Sequence, residues 1–329
     1  MTAHSLSPDP ARDTQVEAAR TTVLAVPSPE LGAIIVTGKD RVSWLNGLVT
    51  CDLAGWGGEE GERDEARYGL VVVRNGRVLA DPILVAGGDR VVAVVPADVV
   101  HRLREHLDHY LVMEDAEVAP APHGFAIWCL YGPASGAVLA AARREGAIGG
   151  AIDRTGLGGA VVLAPPERAA EVATTLQGAV VEARGVMGDA AGWEALRLER
   201  GVPRFGVDFD DKTYPQEASL ENAAVSFKKG CYLGQEVVCM LEMRGHVKRK
   251  LVSIVLDGTE VPASDASGAA VPVADEAGAA VGEVMSLVLS PTLGVPVGLA
   301  MLKRAQATPG TRVRVGASGI HATVVERPA

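Results

Sequence analysis

The sequence predicts an α+β protein with a small β-barrel at its C-terminal end. Residues 115–179 alternate between short apolar runs of strand type and amphipathic segments of helix type, in the order β-α-β-β-α. After residue 250 the helical periodicity disappears, and five short apolar runs follow one another between Gly and Pro turns. At 329 residues the chain is long for one core, so we expect two or three packing units.

The composition excludes several classes of protein. Hydrophobic residues make up 48% and charged residues 22%, which is globular and far from a disordered chain. The net charge of −10 is opposite to that of a generic nucleic-acid-binding surface. Apolar runs are too short to cross a bilayer, and the first 20 residues contain no secretory signal. We therefore expect a cytoplasmic protein with neither nucleic-acid nor membrane partners.

The N-terminal part of the chain is expected to begin with a polar, loosely ordered tail over residues 1–22. Four runs rich in β-branched residues then predict strands at 32–38, 69–73, 77–86 and 89–96. The pair Asn75-Gly76 predicts a hairpin turn between two of them, because both residues tolerate positive φ.

Two helices are predicted around these strands. A short one follows Lys39 and Asp40, and a longer one occupies residues 96–113. The longer helix carries three histidines that lie mostly off its apolar stripe, so we expect solvated side chains and no metal site. The four cysteines have no C-x-x-C spacing, which is also unlike a zinc site. The histidines are His101, His106 and His109, and the cysteines are Cys51, Cys129, Cys231 and Cys239.

The segment K-G-C-Y-L-G-Q-E, residues 229–236, contains the candidate reactive residue of the chain. Lys228 and Lys229 precede Cys231 and can stabilise a thiolate, and Gly230 and Gly234 leave room for a ligand or for backbone. The alternative is a buried, inert cysteine in a tight turn. No His or Asp lies beside it in sequence, so the local pattern does not indicate nucleophilic catalysis.

Two further features are candidate binding groups. Glu199, in the helical segment R-L-E-R-G, faces either a cleft or water, and a carboxylate in a cleft can accept two adjacent N–H groups. The run M-R-G-H-V-K-R-K begins the barrel region and holds Arg244 among five basic residues. It can face an anionic ligand tail, or it is a solvated strand start at a domain edge.

Together these segments closely resemble the YgfZ family, folate-binding relatives of the glycine cleavage T-protein. The resemblance covers residues 24 to 327, and K-G-C-Y-x-G-Q-E is its most specific motif. It implies a three-part ring around a central folate-binding hole: two interleaved α+β subdomains within residues 23–246 and a barrel over 247–329. It also implies tetrahydrofolate as ligand and a role in assembly or repair of iron–sulfur enzymes, with these client enzymes or assembly proteins as partners.

The resemblance also assigns the site residues. Glu199 matches the position expected to hold the pterin, and Cys231 matches the functional thiol. Folate-binding roles are expected for Lys229, Tyr232, Gln235 and Arg244, with Arg244 meeting the folate tail or a partner.

One departure bears on the activity. The aspartate that the T-protein needs for aminomethyl transfer falls near Leu103, and Asp98 is shifted from that position by several residues. An accessory role that is not enzymatic is therefore the leading hypothesis. The alternatives are a folate-dependent aminomethyl or one-carbon transferase or demethylase, and an interaction scaffold with an empty pocket.

Overall fold

The computed structural model describes residues 9–56, 66–121, 124–260, 262 and 271–326. Its first sheet has five antiparallel strands in the order β3-β6-β7-β2-β8, and a two-stranded hairpin, β4-β5, lies beside it. The elements of this region are β2 (Leu31–Thr37), α2 (Arg41–Asn46), β3 (Ala66–Tyr68), β4 (Val71–Val72), β5 (Val78–Ala80), β6 (Ile83–Gly87), β7 (Arg90–Pro96), α3 (Val100–His109) and β8 (Glu117–Pro120).

The predicted hairpin and long helix are both confirmed. β4 pairs with β5 across the turn that holds Gly76, whose φ is +78°. In α3 the predicted apolar stripe faces the core, with Leu103 and Leu107 buried.

The second sheet has the order β10-β11-β9-β1-β12. Because β1 precedes the first sheet in the chain and the other four strands follow it, the two α+β units are interleaved in sequence. The predicted β-α-β-β-α order of the middle region is confirmed. The elements are β1 (Leu24–Pro27), β9 (Ala126–Tyr131), α4 (Ser135–Arg144), β10 (Ile148–Ala151), β11 (Gly159–Ala164), α5 (Ala169–Glu182) and β12 (Val186–Met187).

The C-terminal region is a closed antiparallel barrel, as predicted. It has one strand more than the five apolar runs, because β14 is four residues long and contains Pro272, which weakens a strand signal. The boundary at residue 247 stays a prediction. The strands are β13 (Arg249–Leu256), β14 (Val271–Ala274), β15 (Ala280–Leu289), β16 (Pro296–Lys303), β17 (Arg312–Val315) and β18 (Ile320–Val325).

The expectation of a loosely ordered N-terminal tail is wrong for most of its length. Residues Pro10–Thr21 form α1, with Asp9 as the N-cap and Pro10 in the first turn. The helix buries Val16, small alanines and the amide of Gln15, which accepts a 3.0 Å hydrogen bond from the Asp189 N–H. A helix face with so few large apolar side chains shows little apolar periodicity. This is why the sequence predicts a polar tail here and not a helix.

Three more helices connect the sheets to the barrel: α6 (Ala190–Glu199), α7 (Glu221–Ala224) and α8 (Gln235–Met243). The contact of α6 with the barrel contains a buried ion pair. Arg197 lies 2.8 Å from Asp208, and both side chains are 0% exposed. Glu194 and Ser286 also bond to the pair, and Ser286 belongs to β15. None of the described helices could span a bilayer.

Breaking this pair should destabilise the whole protein. In Asp208→Asn the Arg197 guanidinium loses its fully buried counter-charge, and we expect the free energy of unfolding to fall by about 3–5 kcal/mol. The matched control is Asp211→Asn, because Asp211 pairs with Arg102 at 2.7 Å but both side chains are more than 40% exposed. There we expect a loss of about 1 kcal/mol or less. Urea unfolding measures both, and equal losses would contradict the structural role of the pair.

Candidate functional site

A cavity of about 300 Å³ lies where the two sheets and α6 meet. The first sheet and the loops next to it contribute Asp81 and Asp98, the second sheet contributes Cys129 and Tyr131, and α6 contributes Trp193. Its size and mixed lining are typical of a small-molecule site.

Asp81 is the buried carboxyl group of the cavity. It follows β5 directly, and its side chain is 8% exposed. Tyr68 on β3 donates a 3.1 Å hydrogen bond to its Oδ2. Burial raises the pKa of Asp81 to about 6, and the nearby Arg154 guanidinium opposes the rise. Asp81 is therefore mostly ionised at neutral pH, in a place where an ion is poorly solvated.

Arg154 also lines the cavity, and its side chain is held in place. Its loop is fixed by Asp153, whose carboxylate accepts backbone N–H bonds from Thr155, Gly156 and Gly158. The guanidinium lies 4.1 Å from the centre of the Tyr68 ring and also donates to the Pro203 carbonyl. The cavity thus contains a fixed donor group, Arg154, and an acceptor group, Asp81, and both contact Tyr68.

The remaining walls are aromatic and apolar. Tyr131 and Trp193 stack with 4.3 Å between ring centroids and an angle of 5°. Burial raises the pKa of the Cys129 thiol, so this cysteine is not a ready thiolate. Glu30, Asp98 and Arg204 line the cavity as exposed residues, which places them at its mouth.

The structure does not bring Glu199 into the cavity. This residue ends α6, and its carboxylate accepts hydrogen bonds from Ser290, from the Thr292 N–H at 2.9 Å and from the Thr292 hydroxyl at 2.8 Å. It also pairs with Arg20 of α1 at 3.8 Å. Its observed contacts join α1, α6 and the barrel.

Lys229 is also engaged in the fold. Its ammonium donates to the carbonyls of Asn46, Val49 and Cys51 at 2.7, 2.9 and 2.7 Å. Burial lowers the pKa of Lys229 to about 8, which still leaves it mainly charged at neutral pH. Because an ammonium has three donors, the three carbonyls satisfy it completely. The side chain anchors the segment to the turn that follows α2.

The other predicted residues of the segment lie outside the cavity as well. Tyr232 is buried, with its ring 5.4 Å from the Lys229 nitrogen. Gln235 donates to the Gly230 carbonyl at 3.4 Å, across the turn. Gly234 has φ +77°, and a Cβ there would lie 2.6 Å from the Val73 carbonyl oxygen, so the turn requires glycine.

Cys231 is exposed on the outer side of this turn. Lys229 points inward to its carbonyls, so it is not the cation that would favour a Cys231 thiolate. Arg244 is exposed just after α8, with His246 and Lys248 beyond it. The last two basic residues of the run are paired with carboxylates, Arg249 with Glu217 and Lys250 with Glu221.

The position that matches the T-protein aspartate holds a buried apolar side chain, which cannot act as an acid or a base. Leu103 is 0% exposed within the first core, whereas Asp98 lines the cavity mouth. The prediction of solvated histidines holds for His101, which pairs with Glu105, and for exposed His109. It is wrong for His106, which is half-buried with its ring against Tyr110. Among the described residues no group of three His, Cys, Asp or Glu side chains could hold a metal ion.

Comparison with known proteins agrees with this architecture. A family model described as the glycine cleavage T-protein C-terminal barrel domain matches residues 249–329. The crystal structure of glycine cleavage system aminomethyltransferase T from Bartonella henselae superposes with a TM-score of 0.79, at 21% identity, over 96% of this chain and 89% of that chain. The chain has the T-protein fold.

Two curated relatives carry different names. An aminomethyltransferase of Streptomyces coelicolor is 28% identical over 321 residues, covering 88% of this chain and 81% of its own. The mitochondrial iron-sulfur cluster assembly factor IBA57 of Mus musculus is 27% identical over 250 residues, covering 71% of this chain and 66% of its own. The chain is thus similar both to a transferase and to an assembly factor.

Alkylation near neutral pH should distinguish the four thiols. We expect Cys231 to react first because it is exposed, Cys239 second because it is half-buried, and Cys129 and Cys51 last. Burial raises the pKa of Cys51 from 9.0 to about 11, which alone lowers its thiolate fraction about 100-fold. Mass spectrometry of the iodoacetamide-treated native protein measures the order. Faster labelling of Cys51 than of Cys231 would contradict it.

Proposed function

We propose that this chain is a cytoplasmic, tetrahydrofolate-binding accessory protein for assembly or repair of iron–sulfur enzymes, of the YgfZ type. The observation that carries the proposal is the separation of two features. A cavity with a buried carboxylate and a guanidinium lies inside the T-protein fold, and an exposed cysteine lies outside it on an anchored turn. The similarity to the mouse assembly factor supports the same function.

The chemistry of the cavity fits the ring of a folate. A flat bicyclic ring with several N–H groups needs a carboxylate acceptor, a donor and an aromatic or apolar surface, and Asp81, Arg154 and Trp193 supply these. The acidic tail would lie toward the mouth beside exposed Arg204, whose guanidinium also pairs with Glu194 at 3.4 Å. A direct contact with Glu199 would require its carboxylate to leave Ser290 and Thr292, so the proposal assigns the ring to the cavity residues.

The surface around Cys231 fits a protein partner. Exposed apolar side chains stand near it in the chain, at Phe227, Met240 and Met243, which are 38%, 52% and 77% exposed. Exposed basic residues flank them, at Lys228, Arg244, His246 and Lys248. Two exposed carboxylates, Glu236 and Glu242, lie among them, so the surface is mixed in charge. Methionine-rich surfaces of this kind suit a partner with an apolar centre and a charged rim. An iron–sulfur client or assembly protein of that character is the partner we propose.

The proposal separates folate binding from thiol function, and Cys231→Ser tests both. Titration calorimetry should show tetrahydrofolate binding by the wild type and the variant alike, because the cysteine lies outside the cavity. Stability should change by about 1 kcal/mol or less, since the substitution is nearly isosteric and exposed.

In a strain that lacks this gene, the variant should nevertheless fail to restore the activity of iron–sulfur enzymes. Cys239→Ser is the matched control and should restore it. Full restoration by Cys231→Ser would show that the proposed function does not need this thiol. Absence of tetrahydrofolate binding by the wild type would show that folate is not the ligand.

The second candidate function is aminomethyl transfer, which the position of Asp98 at the cavity mouth and the transferase relatives favour. Because the matched position holds buried Leu103, we expect no methylenetetrahydrofolate from tetrahydrofolate and an aminomethylated lipoyl carrier protein. An absorbance assay with a known aminomethyltransferase as positive control measures this. Turnover by the wild type that disappears in Asp98→Asn would establish the transferase instead.

A further inference from the structure

We propose that Val112 and Met113 form a second contact for the iron–sulfur partner, one that fits an apolar pocket with a basic rim on that partner. Both residues lie in the segment between α3 and β8, residues 110–116, which we call the acidic tip. The inference rests on the proposed function and goes further, because it adds a docking surface to the one around Cys231 and states the chemistry of the partner's side.

The exposure of the two side chains carries the first step. Val112 is 81% exposed and Met113 is 92% exposed, and they are the two most exposed large apolar side chains of the described residues. Single exposed apolar residues are common on soluble proteins. Adjacent ones with polar groups around them are typical of interaction sites.

The acidic tip is ordered, so it holds these side chains in one arrangement. The Glu114 carboxylate accepts the backbone N–H groups of Val112 and Met113 at 3.1 and 3.0 Å. The Asp40 carboxylate accepts the Asp115 N–H at 2.8 Å, and the Asp40 N–H donates to the Asp115 carbonyl at 3.0 Å. A segment that is fixed in advance loses little conformational entropy when it binds a partner.

The charges around the apolar pair indicate the chemistry of the partner. Four carboxylates are exposed on and beside the tip, at Asp108, Glu114, Asp115 and Glu117. Lys39 pairs with Asp115 at 3.3 Å and offsets one of these four charges. An apolar centre with an acidic rim complements an apolar pocket with a basic rim, and it repels a partner whose rim is acidic.

The acidic tip and the Cys231 turn are attached to the same short helix. The Trp44 indole of α2 donates to the Tyr110 carbonyl at 3.1 Å, where the tip begins. The carbonyl of Asn46, the last residue of α2, accepts from Lys229 at 2.7 Å. This helix has six residues, so it is about 9 Å long and keeps the two surfaces close together. A standard interface of about 20–30 residues per side is large enough for one partner to contact both. The protein that reaches Cys231 is therefore the occupant assigned to the tip.

The first test removes the apolar pair. The full-length double variant Val112→Ser/Met113→Ser, expressed in the strain that lacks this gene, keeps the backbone N–H groups that bind Glu114. We expect the restored activity of the iron–sulfur enzymes to fall about tenfold or more, the usual effect of truncating interface hot spots. The matched control is Val181→Ser, the same change at a valine of α5 that is 68% exposed. It should restore activity within about twofold of the wild type.

The second test reverses the charge of the rim. Asp108→Lys/Glu117→Lys places two cations where the partner's rim is basic, so we expect restored activity to fall about tenfold as well. The control is Glu182→Lys, an exposed carboxylate next to Val181, which should restore activity within about twofold of the wild type. Full restoration by the reversed rim would show that the partner's rim is not basic and would overturn the proposal.

Purified variants distinguish docking from a structural role. Because the tip is joined to α2, a distorted tip would change the alkylation rate of Cys231 or the urea concentration at half-unfolding. We expect both quantities, and the affinity for tetrahydrofolate by calorimetry, to equal the wild-type values in the two double variants, since the changed side chains are exposed. Loss of restored activity together with a change in any of these quantities would assign the tip a structural role and contradict docking.

The outcomes separate this inference from the function on which it rests. If Val112→Ser/Met113→Ser restores the enzymes as well as the wild type does while Cys231→Ser does not, the tip is not a contact and the inference alone fails. If the wild type itself restores no iron–sulfur enzyme, the proposed function and the inference fail together.

Discussion

The buried pair of Arg197 and Asp208 is the constraint on which the rest of the structure depends. It joins α6 to the loop that follows it and, through Ser286, to the barrel. Two fully buried charges are stable only with every hydrogen bond made. Here Arg197 also donates to Glu194 and to the Val202 carbonyl, and Asp208 also accepts from the Arg204 N–H. Because α6 and this loop provide one side of the cavity, a shift of the pair would move the cavity wall and the barrel together.

The cavity and the exposed thiol lie apart, yet one hairpin runs between them. The strand β5 of this hairpin ends directly before Asp81. The turn of the same hairpin packs on α8, where a Cβ on Gly76 would lie 2.9 Å from the Val237 side chain. A Cβ on Gly234, at the start of α8, would lie 2.6 Å from the Val73 carbonyl oxygen. The two sites are therefore connected through this one hairpin.

The features that depend on local sequence pattern were predicted correctly. They are the hairpin at Asn75-Gly76, the apolar stripe of α3, the β-α-β-β-α order and the barrel. The local pattern failed for α1, whose buried face holds Val16 as its one large apolar side chain beside Arg12, Gln15 and two alanines, so no apolar pattern marks that face. The helix that contains Glu199 was predicted correctly, but helical periodicity does not show which element packs against each face. The partners of Glu199, Ser290 and Thr292, lie about 90 residues further along the chain, so no sequence pattern indicated them. Asp81 and Arg154 were not predicted as site residues, because only the packing of two sheets brings them together.

The contacts of the segment K-G-C-Y-L-G-Q-E bear on the role of its cysteine. Lys229 fits because three carbonyls converge on its three donors, a geometry that the planar guanidinium of arginine would not match. Gly234 fits because a side chain would collide with the Val73 carbonyl, and Tyr232 fits because it is buried beside Lys229. Folding thus explains Lys229 and Gly234 without a ligand. It also explains the ring of Tyr232, but not its buried hydroxyl, which has no hydrogen-bond partner in the described part of the chain. Cys231 is exposed, so packing does not explain it, and the anchored turn holds its thiol outward, where a partner can reach it. That contrast is the strongest physical reason to assign the function of the segment to the cysteine.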